Sequence, residues 1–250
     1  MIMLLGMFLP VCAGNAAAGA ALVERLLAAY DAIETVSCDI RRGWQGPDGR
    51  VRMNSRVHWQ RPNLMHVENY SPMRRRYVCT GERLYYHIHG DPRGFSRRVE
   101  ELDDDWRLRL KVVPGTAMDY LLPLQGIDEI ELENSEEGVL RRGYRLTGSY
   151  VILFVDVHQR LVRYEQFSSP EALRPLTAIV FSRFEEVLEG VFIPLLHETT
   201  VLLDGEERAE TTRVSIVSIN KPLAPLLFDP DPYFKDVEFV ESFEKVYRQP

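Results

Sequence analysis

The sequence has few cysteines, no excess of positive charge and no long apolar segment. Its 250 residues include three cysteines and carry a formal net charge of −7. This charge excludes non-specific nucleic-acid binding, because no basic surface extends over the chain to neutralise phosphates. The basic run Arg74-Arg75-Arg76 is interpreted as a solvated strand end. Nucleophile-elbow, phosphate-loop and dinucleotide-binding motifs are also absent from the sequence, which removes several common enzyme classes.

The N-terminal segment is interpreted as an export signal. Residues 1–15 contain no charged side chain, and this segment is too short to span a bilayer. Val11, Cys12 and Ala13 provide the small residues that a signal peptidase requires. Cys12 also raises the alternative of a lipid-modified cysteine, but Val11 stands where lipoproteins usually have Gly or Ala. We therefore favour a cleaved signal peptide, followed by a single domain over residues 16–250.

Hydrophobic periodicity predicts a mainly β protein with helices in two places. Hydrophobic residues make up 45% of the chain, enough for a buried core. An apolar stripe that includes Leu22, Leu26 and Tyr30 predicts a helix over 16–33. A helical insertion begins at Val99 and includes a second, short helix over 116–122. A short amphipathic helix is expected after Asp231. Alternating segments between Gly, Pro and Asn turns predict strands at 35–45, 50–60, 63–70, 74–80, 83–89, 128–133, 140–147, 149–156, 160–167, 176–186, 190–203 and 207–219.

The number of strands determines the fold class that we expect. A sheet of about a dozen antiparallel strands cannot stay open and flat, so it must curl. Helices that interrupt such a sheet would plug or cover its interior. The sequence therefore predicts one domain of the mainly β (α+β) class.

Cys38 and Cys79 are expected to be buried and reduced. A disulfide would be natural in an exported protein. In a meander, however, Cys38 lies on the first strand and Cys79 on the fourth. Three strand spacings of ~4.8 Å separate them by roughly 14 Å, beyond the ~7 Å limit for a bridge.

The nearest catalytic candidate is the segment 87–91, His-Ile-His-Gly-Asp, which resembles the start of the H-x-H-x-D-H site of metallo-hydrolases. His87 and His89 share a strand face and could bind zinc together with Asp91. Position 92 is proline rather than histidine, so exposed strand histidines are the favoured interpretation. The run 103–105 of three aspartates could bind a hard cation, but consecutive helical residues point in different directions. We expect no catalytic residue, no metal and no cofactor.

Arg61 is the residue whose position most strongly suggests a role. Alternate residues from Val51 to Trp59 are mostly apolar, and Arg61 falls on the same side if the strand continues to Pro62. A guanidinium aimed into an apolar interior is costly unless it finds partners. A set of aromatic residues could line an apolar cavity on this side or form an ordinary core: Trp44, Trp59, Tyr70, Tyr85, Tyr86, Trp106 and Tyr120.

Two motifs resemble those of the periplasmic outer-membrane lipoprotein carrier family, the LolA/LolB-like superfamily. Arg61-Pro62-Asn63-Leu64 is similar to the Arg-Pro turn of that family. The segment 81–86, Gly-Glu-Arg-Leu-Tyr-Tyr, is similar to its G-x-x-L-aromatic motif. Weaker similarity extends to the helix near Leu22, to the insertion 115–124 and to the closing segment 217–230. The order of elements agrees over nearly all of the mature chain.

The resemblance implies an incomplete antiparallel β-barrel of about 11–12 strands. An N-terminal helix and a helical lid insertion would cover its apolar cavity, and Arg61 would contact the lid and control its opening. The ligand-binding residues expected around this latch are Met53, Val57, Trp59, Leu64, Tyr86, Met118, Leu121 and Leu122.

The resemblance also implies a non-enzymatic function in the periplasm. Such a carrier holds the acyl chains of lipoproteins, or other acylated lipids, and acts as a chaperone. It would move its cargo from an inner-membrane release complex to an outer-membrane acceptor, as a monomer that does not bind nucleic acid. The longer strands at 176–203 leave a second hypothesis open: the protein is an envelope sensor or a lipid-binding interaction module with the same fold.

Overall fold

The computed structural model describes residues 16–46, 49–132 and 138–242, which form one curled sheet with helices on one face. The helices are α1 (Ala16–Ala28), α2 (Asp104–Lys111) and α3 (Met118–Leu121). The strands are β1 (Thr35–Gly46), β2 (Gly49–Gln60), β3 (Leu64–Ser71), β4 (Arg75–Thr80), β5 (Arg83–Ile88), β6 (Arg93–Arg98), β7 (Glu129–Glu131), β8 (Leu140–Leu146), β9 (Ser149–Val155), β10 (Leu161–Phe167), β11 (Thr177–Leu188), β12 (Val191–Leu203), β13 (Glu206–Ile219) and β14 (Glu238–Val240).

The strands follow the order β14-β6-β5-β4-β3-β2-β1-β13-β12-β11-β10-β9-β8-β7 in a single sheet. Every neighbouring pair is antiparallel except β14 and β6, which run parallel. The first and second halves of the chain therefore meet where β1 pairs with β13. This open, curled arrangement confirms the expected incomplete barrel of the mainly β class.

All twelve expected strands are present, and the described residues contain two more, β6 and β14. Apolar and polar residues do not alternate along β6, and residues of the C-terminal segment cover this strand. A Cβ atom on Gly94 would lie 2.7 Å from the ring of Phe239 and 2.9 Å from the side chain of Val237. The prediction of a helix after Asp231 is wrong for the described residues, because residues 238–240 form β14. Residues 243–250 of that prediction lie outside them.

The inner face of the sheet is the side that the helices cover. Leu22, Val23 and Leu26 of α1 are buried there against Trp59 of β2 and Leu153 of β9. Each such side chain contributes roughly 1.5–3 kcal/mol when it leaves water. Helix α1 ends at Ala28 rather than at residue 33, but the turn that follows keeps the predicted apolar stripe buried.

Cys38 and Cys79 are both buried and unbridged, as expected. Two strands, β2 and β3, separate them in the sheet. Burial raises the pKa of the Cys79 thiol to about 11. The thiols therefore act as small apolar core groups at neutral pH.

The helical insertion begins later than the spacing from Val99 predicts. A single 3-10 turn covers Val99–Glu101, and α2 starts after Asp103, whose carboxylate accepts a hydrogen bond of 2.9 Å from the Trp106 amide. This is an N-cap, and it stops the helix from extending backwards. Residues 115–124, called the lid below, follow α2 and contain α3 and the 3-10 turn Leu122–Leu124.

A few polar contacts connect the helices to each other and to the sheet. The indole of Trp59 donates a hydrogen bond of 3.0 Å to the carbonyl of Leu110 at the end of α2. The hydroxyl of Tyr30, just after α1, lies close to the backbone of Ala117 in the lid, which offsets part of the rise in the Tyr30 pKa caused by burial. Gly115 has a φ of +82°, and a Cβ there would lie 2.8 Å from a methyl group of Val214 on β13. The lid therefore approaches the sheet most closely at Gly115.

His197 on β12 supports the same end of the lid. Its buried ring packs edge-on against Phe181 with the ring centres 5.0 Å apart. The Nε2 of the ring lies 3.3 Å from the carbonyl oxygen of Pro194, and the ring lies close to the backbone of Gly115. Burial lowers the pKa of His197 to about 4. The imidazole is therefore neutral at neutral pH.

We expect the folded state to become less stable at acid pH, because His197 binds a proton more readily in the unfolded state. Its folded pKa of about 4 lies below the unfolded value of 6.5, so the unfolded state binds a proton first as the pH falls between these values. His197→Gln should remove about 2 kcal/mol of the stability that the wild type loses between pH 7.5 and pH 5. Urea unfolding at the two pH values measures this difference, and His158→Gln, at an exposed site, serves as the control. Equal pH dependence in His197→Gln and wild type would show that this ring does not titrate on unfolding.

Candidate functional site: a cleft beside the helical lid

Arg61 lies at the rim of the inner face and binds the end of α1. Its Nη2 donates to the carbonyl of Tyr30 at 3.0 Å, and its Nε donates to that of Ile33 at 3.2 Å. Its Nη1 lies 3.7 Å from a carboxylate oxygen of Asp31. The guanidinium also lies 5.7 Å from the centre of the Trp59 ring, which is completely buried.

These contacts explain how a charge is tolerated beside an apolar interior. The Arg61 side chain is 31% exposed, so the guanidinium keeps part of its hydration. The two carbonyls belong to the turn that follows α1, where backbone acceptors lack helical donors. Arg61 therefore fixes the end of α1 relative to β2.

An open cleft of about 760 Å³ runs from Arg61 between α1, α2 and the lid. Its apolar wall comes from Leu27, Leu110, Met118 and Leu122. Charged side chains line the rest of the cleft: Glu24, Asp31, Arg61, Asp104, Arg107 and Lys111. This volume is in the range of small-molecule sites, and it places apolar groups beneath a charged margin.

The structure brings three of the nine expected site residues to this cleft, namely Arg61, Met118 and Leu122. Val57, Trp59 and Leu121 belong to the main core cluster, where the side chains of α1 and the lid occupy the inner face. Tyr86 lies in a second cluster. Met53 and Leu64 are half-buried on β2 and β3, outside the cleft lining.

The second cluster continues the inner face towards β6. The rings of Tyr77 and Tyr86 are 4.8 Å apart, and Trp106 of α2 lies 6.0 Å from Tyr77. Tyr85 points to the other side of the sheet, where its ring lies 6.2 Å from that of Phe234. The aromatic residues noted in the sequence therefore divide between the two faces.

Several residues that shape the site were not among the sequence candidates. Leu27 and Leu110 lie on apolar faces of the predicted helical segments, as Tyr30 does, so their presence near the cleft follows from the lid hypothesis. His197 and Gly115 gave no local signal, because their contact joins residues far apart in sequence.

The residues considered as metal ligands make other contacts in the structure. His87 is hydrogen-bonded through Nε2 to the carbonyl of Asp91 at 2.7 Å. Asp103 caps α2, while Asp104 and Asp105 pair with arginines within that helix. The described residues contain no group of three or more His, Cys, Asp or Glu side chains that could hold a metal ion.

None of the helices in the described part of the chain is long and apolar enough to cross a membrane. No protein-family model matches the sequence, and no curated protein matches it either. The fold, by contrast, is similar to that of several solved structures.

A domain from Vibrio parahaemolyticus assigned to outer membrane lipoprotein sorting matches with a TM-score of 0.60 and 11% identity, over 87% of this chain and 99% of that one. A DUF1329 family protein from Desulfovibrio piger matches with a TM-score of 0.59 and 10% identity, over 87% and 98% of the two chains. A LolA superfamily protein from Nitrosomonas europaea matches with a TM-score of 0.54 and 13% identity, over 85% and 97%. These likenesses confirm the expected LolA-like fold of the chain.

Proposed function

We propose that the protein is a periplasmic carrier that binds the acyl chains of lipoproteins on the inner face of its sheet. It would move them from an inner-membrane release complex to an outer-membrane acceptor, as a monomer without a cofactor. The observation that carries the proposal is the lid, whose buried Met118 and Leu121 cover an apolar sheet face beside an open cleft. A cover of this kind can be exchanged for another apolar group.

The energetics of such an exchange favour reversible binding. Each buried methylene contributes ~0.8 kcal/mol, so a sixteen-carbon chain gains on the order of 12 kcal/mol by leaving water. Moving the lid aside exposes its own apolar side chains and offsets part of that gain. The cargo therefore binds with a fraction of its transfer free energy and can still be released.

Arg61 would tune this exchange through α1. Its bonds to the carbonyls of Tyr30 and Ile33 hold the end of α1, and the Tyr30 hydroxyl in turn lies close to the backbone of the lid at Ala117. Movement of the lid therefore strains contacts at the cleft rim. Apolar contacts dominate the equilibrium between the covered and open states of the lid. The polar contacts at the rim favour the covered state.

A disulfide between the lid and the sheet should block acyl-chain uptake. A Cβ on Gly115 would lie 3.6 Å from the Cβ of Val214, within the ~3.5–4.5 Å range of disulfides. We expect Gly115→Cys/Val214→Cys, with the native cysteines replaced by alanine, to bind a fluorescent fatty acid when reduced and to lose at least about tenfold in affinity when oxidised. The reason is that uptake requires the lid to leave β13.

The reduced form of the same variant controls for strain at the positive φ of position 115, and each single cysteine variant controls for oxidation. Equal probe binding in the oxidised and reduced forms would show that the lid does not gate the site. A reduced variant and a wild type that both fail to bind any acyl probe would refute the carrier proposal itself.

Replacing Arg61 by leucine should slow cargo release. An apolar side chain beside Trp59 and Met118 favours the apolar contacts of the cleft and removes the polar bias. We expect Arg61→Leu to transfer a fluorescent triacylated lipopeptide to acceptor vesicles about tenfold more slowly than the wild type. Stopped-flow measurement of the transfer rate tests this.

Arg107→Leu is the matched control, since Arg107 also lines the cleft but pairs with Asp104 within α2. It should transfer at nearly the wild-type rate. If Arg61→Leu released the lipopeptide as fast as the wild type, the latch role of Arg61 would be wrong. Tight binding without transfer by the wild type would favour the sensor alternative.

A further inference from the structure

The outer face of the sheet, opposite the helices, carries a row of arginines on β1, β2 and β13. Arg41 on β1 stands directly opposite Arg213 on β13 and Asn54 on β2. Gly43, two residues along β1, stands opposite Arg52. Side chains at directly opposed positions share one face, so these guanidinium groups lie together.

Such an arrangement is unfavourable in the free protein. Like charges in directly opposed cross-strand positions destabilise a sheet. Among the described residues, Arg41, Arg50, Arg52 and Arg213 make no hydrogen bond or ion pair through their side chains. The carboxylate in this region, Asp39, is bound by Arg56 through two hydrogen bonds of 2.9 and 3.2 Å.

Other arginines of the chain do have carboxylate partners. On the inner face, Arg42 lies 3.7 Å from Glu210. In the basic run at the start of β4, Arg74 and Arg76 share Glu68 at 2.6 and 2.8 Å. The basic run is therefore neutralised in part. In the outer row, Arg41 has the charge of Asp39 nearby, but that carboxylate is already bound by Arg56, and Arg50, Arg52 and Arg213 have no carboxylate partner among the described residues.

The arginine row lines an open groove of about 640 Å³. Gly43 forms part of the floor of the groove. A Cβ atom on Gly43 would lie 3.9 Å from the guanidinium of Arg50. Tyr70 lines the groove and is 48% exposed. The groove therefore combines guanidinium groups with an aromatic side chain at one margin.

The C-terminal segment, as far as residue 242, leaves this part of the outer face open. It covers β3 to β5 instead, where Tyr233 packs on His66 and Arg76, and Phe234 packs on Tyr85. The lining of the groove contains no residue of that segment.

We propose that this groove docks the protein on an anionic bilayer by binding the phosphate groups of its lipids. Guanidinium forks match phosphate oxygens in bidentate geometry. Tyrosine is favoured at the boundary between headgroups and acyl chains, where Tyr70 would lie. Because the chain has a net charge of −7, the anionic surface repels most of the molecule and attracts this face. Docking would relieve the repulsion between Arg41 and Arg213.

Vesicle sedimentation with the full chain tests the proposal. The wild type should bind vesicles of phosphatidylcholine and phosphatidylglycerol, and should not bind vesicles of phosphatidylcholine alone. High salt should weaken this binding because it screens exposed charges. We expect Arg50→Gln/Arg52→Gln to lower the affinity about tenfold or more, since each basic residue near an anionic surface contributes comparably.

The control is Arg97→Gln/Arg98→Gln, which removes the same charge from exposed positions at the end of β6 and should retain wild-type affinity. Equal loss in both pairs would overturn the proposal in favour of a net-charge effect. Binding to soluble polyglutamate but not to anionic vesicles would overturn it in favour of an acidic protein partner. Fatty-acid uptake by the Arg50/Arg52 variant in the absence of vesicles should stay normal, so failure of docking and failure of the carrier proposal can be distinguished.

Discussion

The apolar inner face of an open, curled sheet must be covered, and the rest of the structure depends on how this is done. A closed barrel could fill its interior with strand side chains alone. Here the sheet stays open between β14 and β7, so α1, α2 and the lid supply the missing apolar surface. The cover is attached through a few polar contacts, of which the bond from Trp59 to Leu110 and the approach of the Tyr30 hydroxyl to the Ala117 backbone are two. In the proposed carrier, an acyl chain would replace this apolar cover, because few directional bonds have to be broken.

The two faces of the sheet differ in polarity. The inner face is mainly apolar, and the charges it carries, such as Arg42 and Glu210, are paired. The outer face carries charge of both signs, but the described part of the C-terminal segment covers only the area formed by β3 to β5. The arginines around Gly43 are left exposed where β1, β2 and β13 meet, at the centre of the sheet order. A carrier that met a membrane with this face would keep its cleft on the opposite side, directed away from the lipid surface.

Much of the fold could be predicted from the sequence because local patterns specify it. The alternation along β2 and the Pro and Gly turns fix strands without knowledge of their partners. The elements that were missed depend on distant partners. Residues around Gly94 form β6 because Phe239 and Val237 cover them, and 238–240 form a strand because β6 offers a free edge. The segment 214–219 is apolar at alternate positions on both faces, a pattern that predicts a buried strand, yet Val217 in β13 is 64% exposed.

The candidate site was predictable in its position but not in its contacts. Strand parity places Arg61 on the same side as Trp59, and the structure has them in contact. Parity cannot show, however, that the turn after α1 brings two carbonyls to the guanidinium. This difference changes what Arg61 can do. A guanidinium bound directly to the lid would break its bonds whenever the lid opened. Arg61 instead holds the end of α1, and in the proposed carrier its effect would reach the lid through the contact of Tyr30 with the Ala117 backbone. The lid could then open with the Arg61 bonds intact, at the cost of the Tyr30 contact at the rim and of the apolar contacts of Met118 and Leu121. A bound acyl chain would restore the apolar contacts but not the Tyr30 contact, so this rim contact would distinguish the covered state from the loaded one.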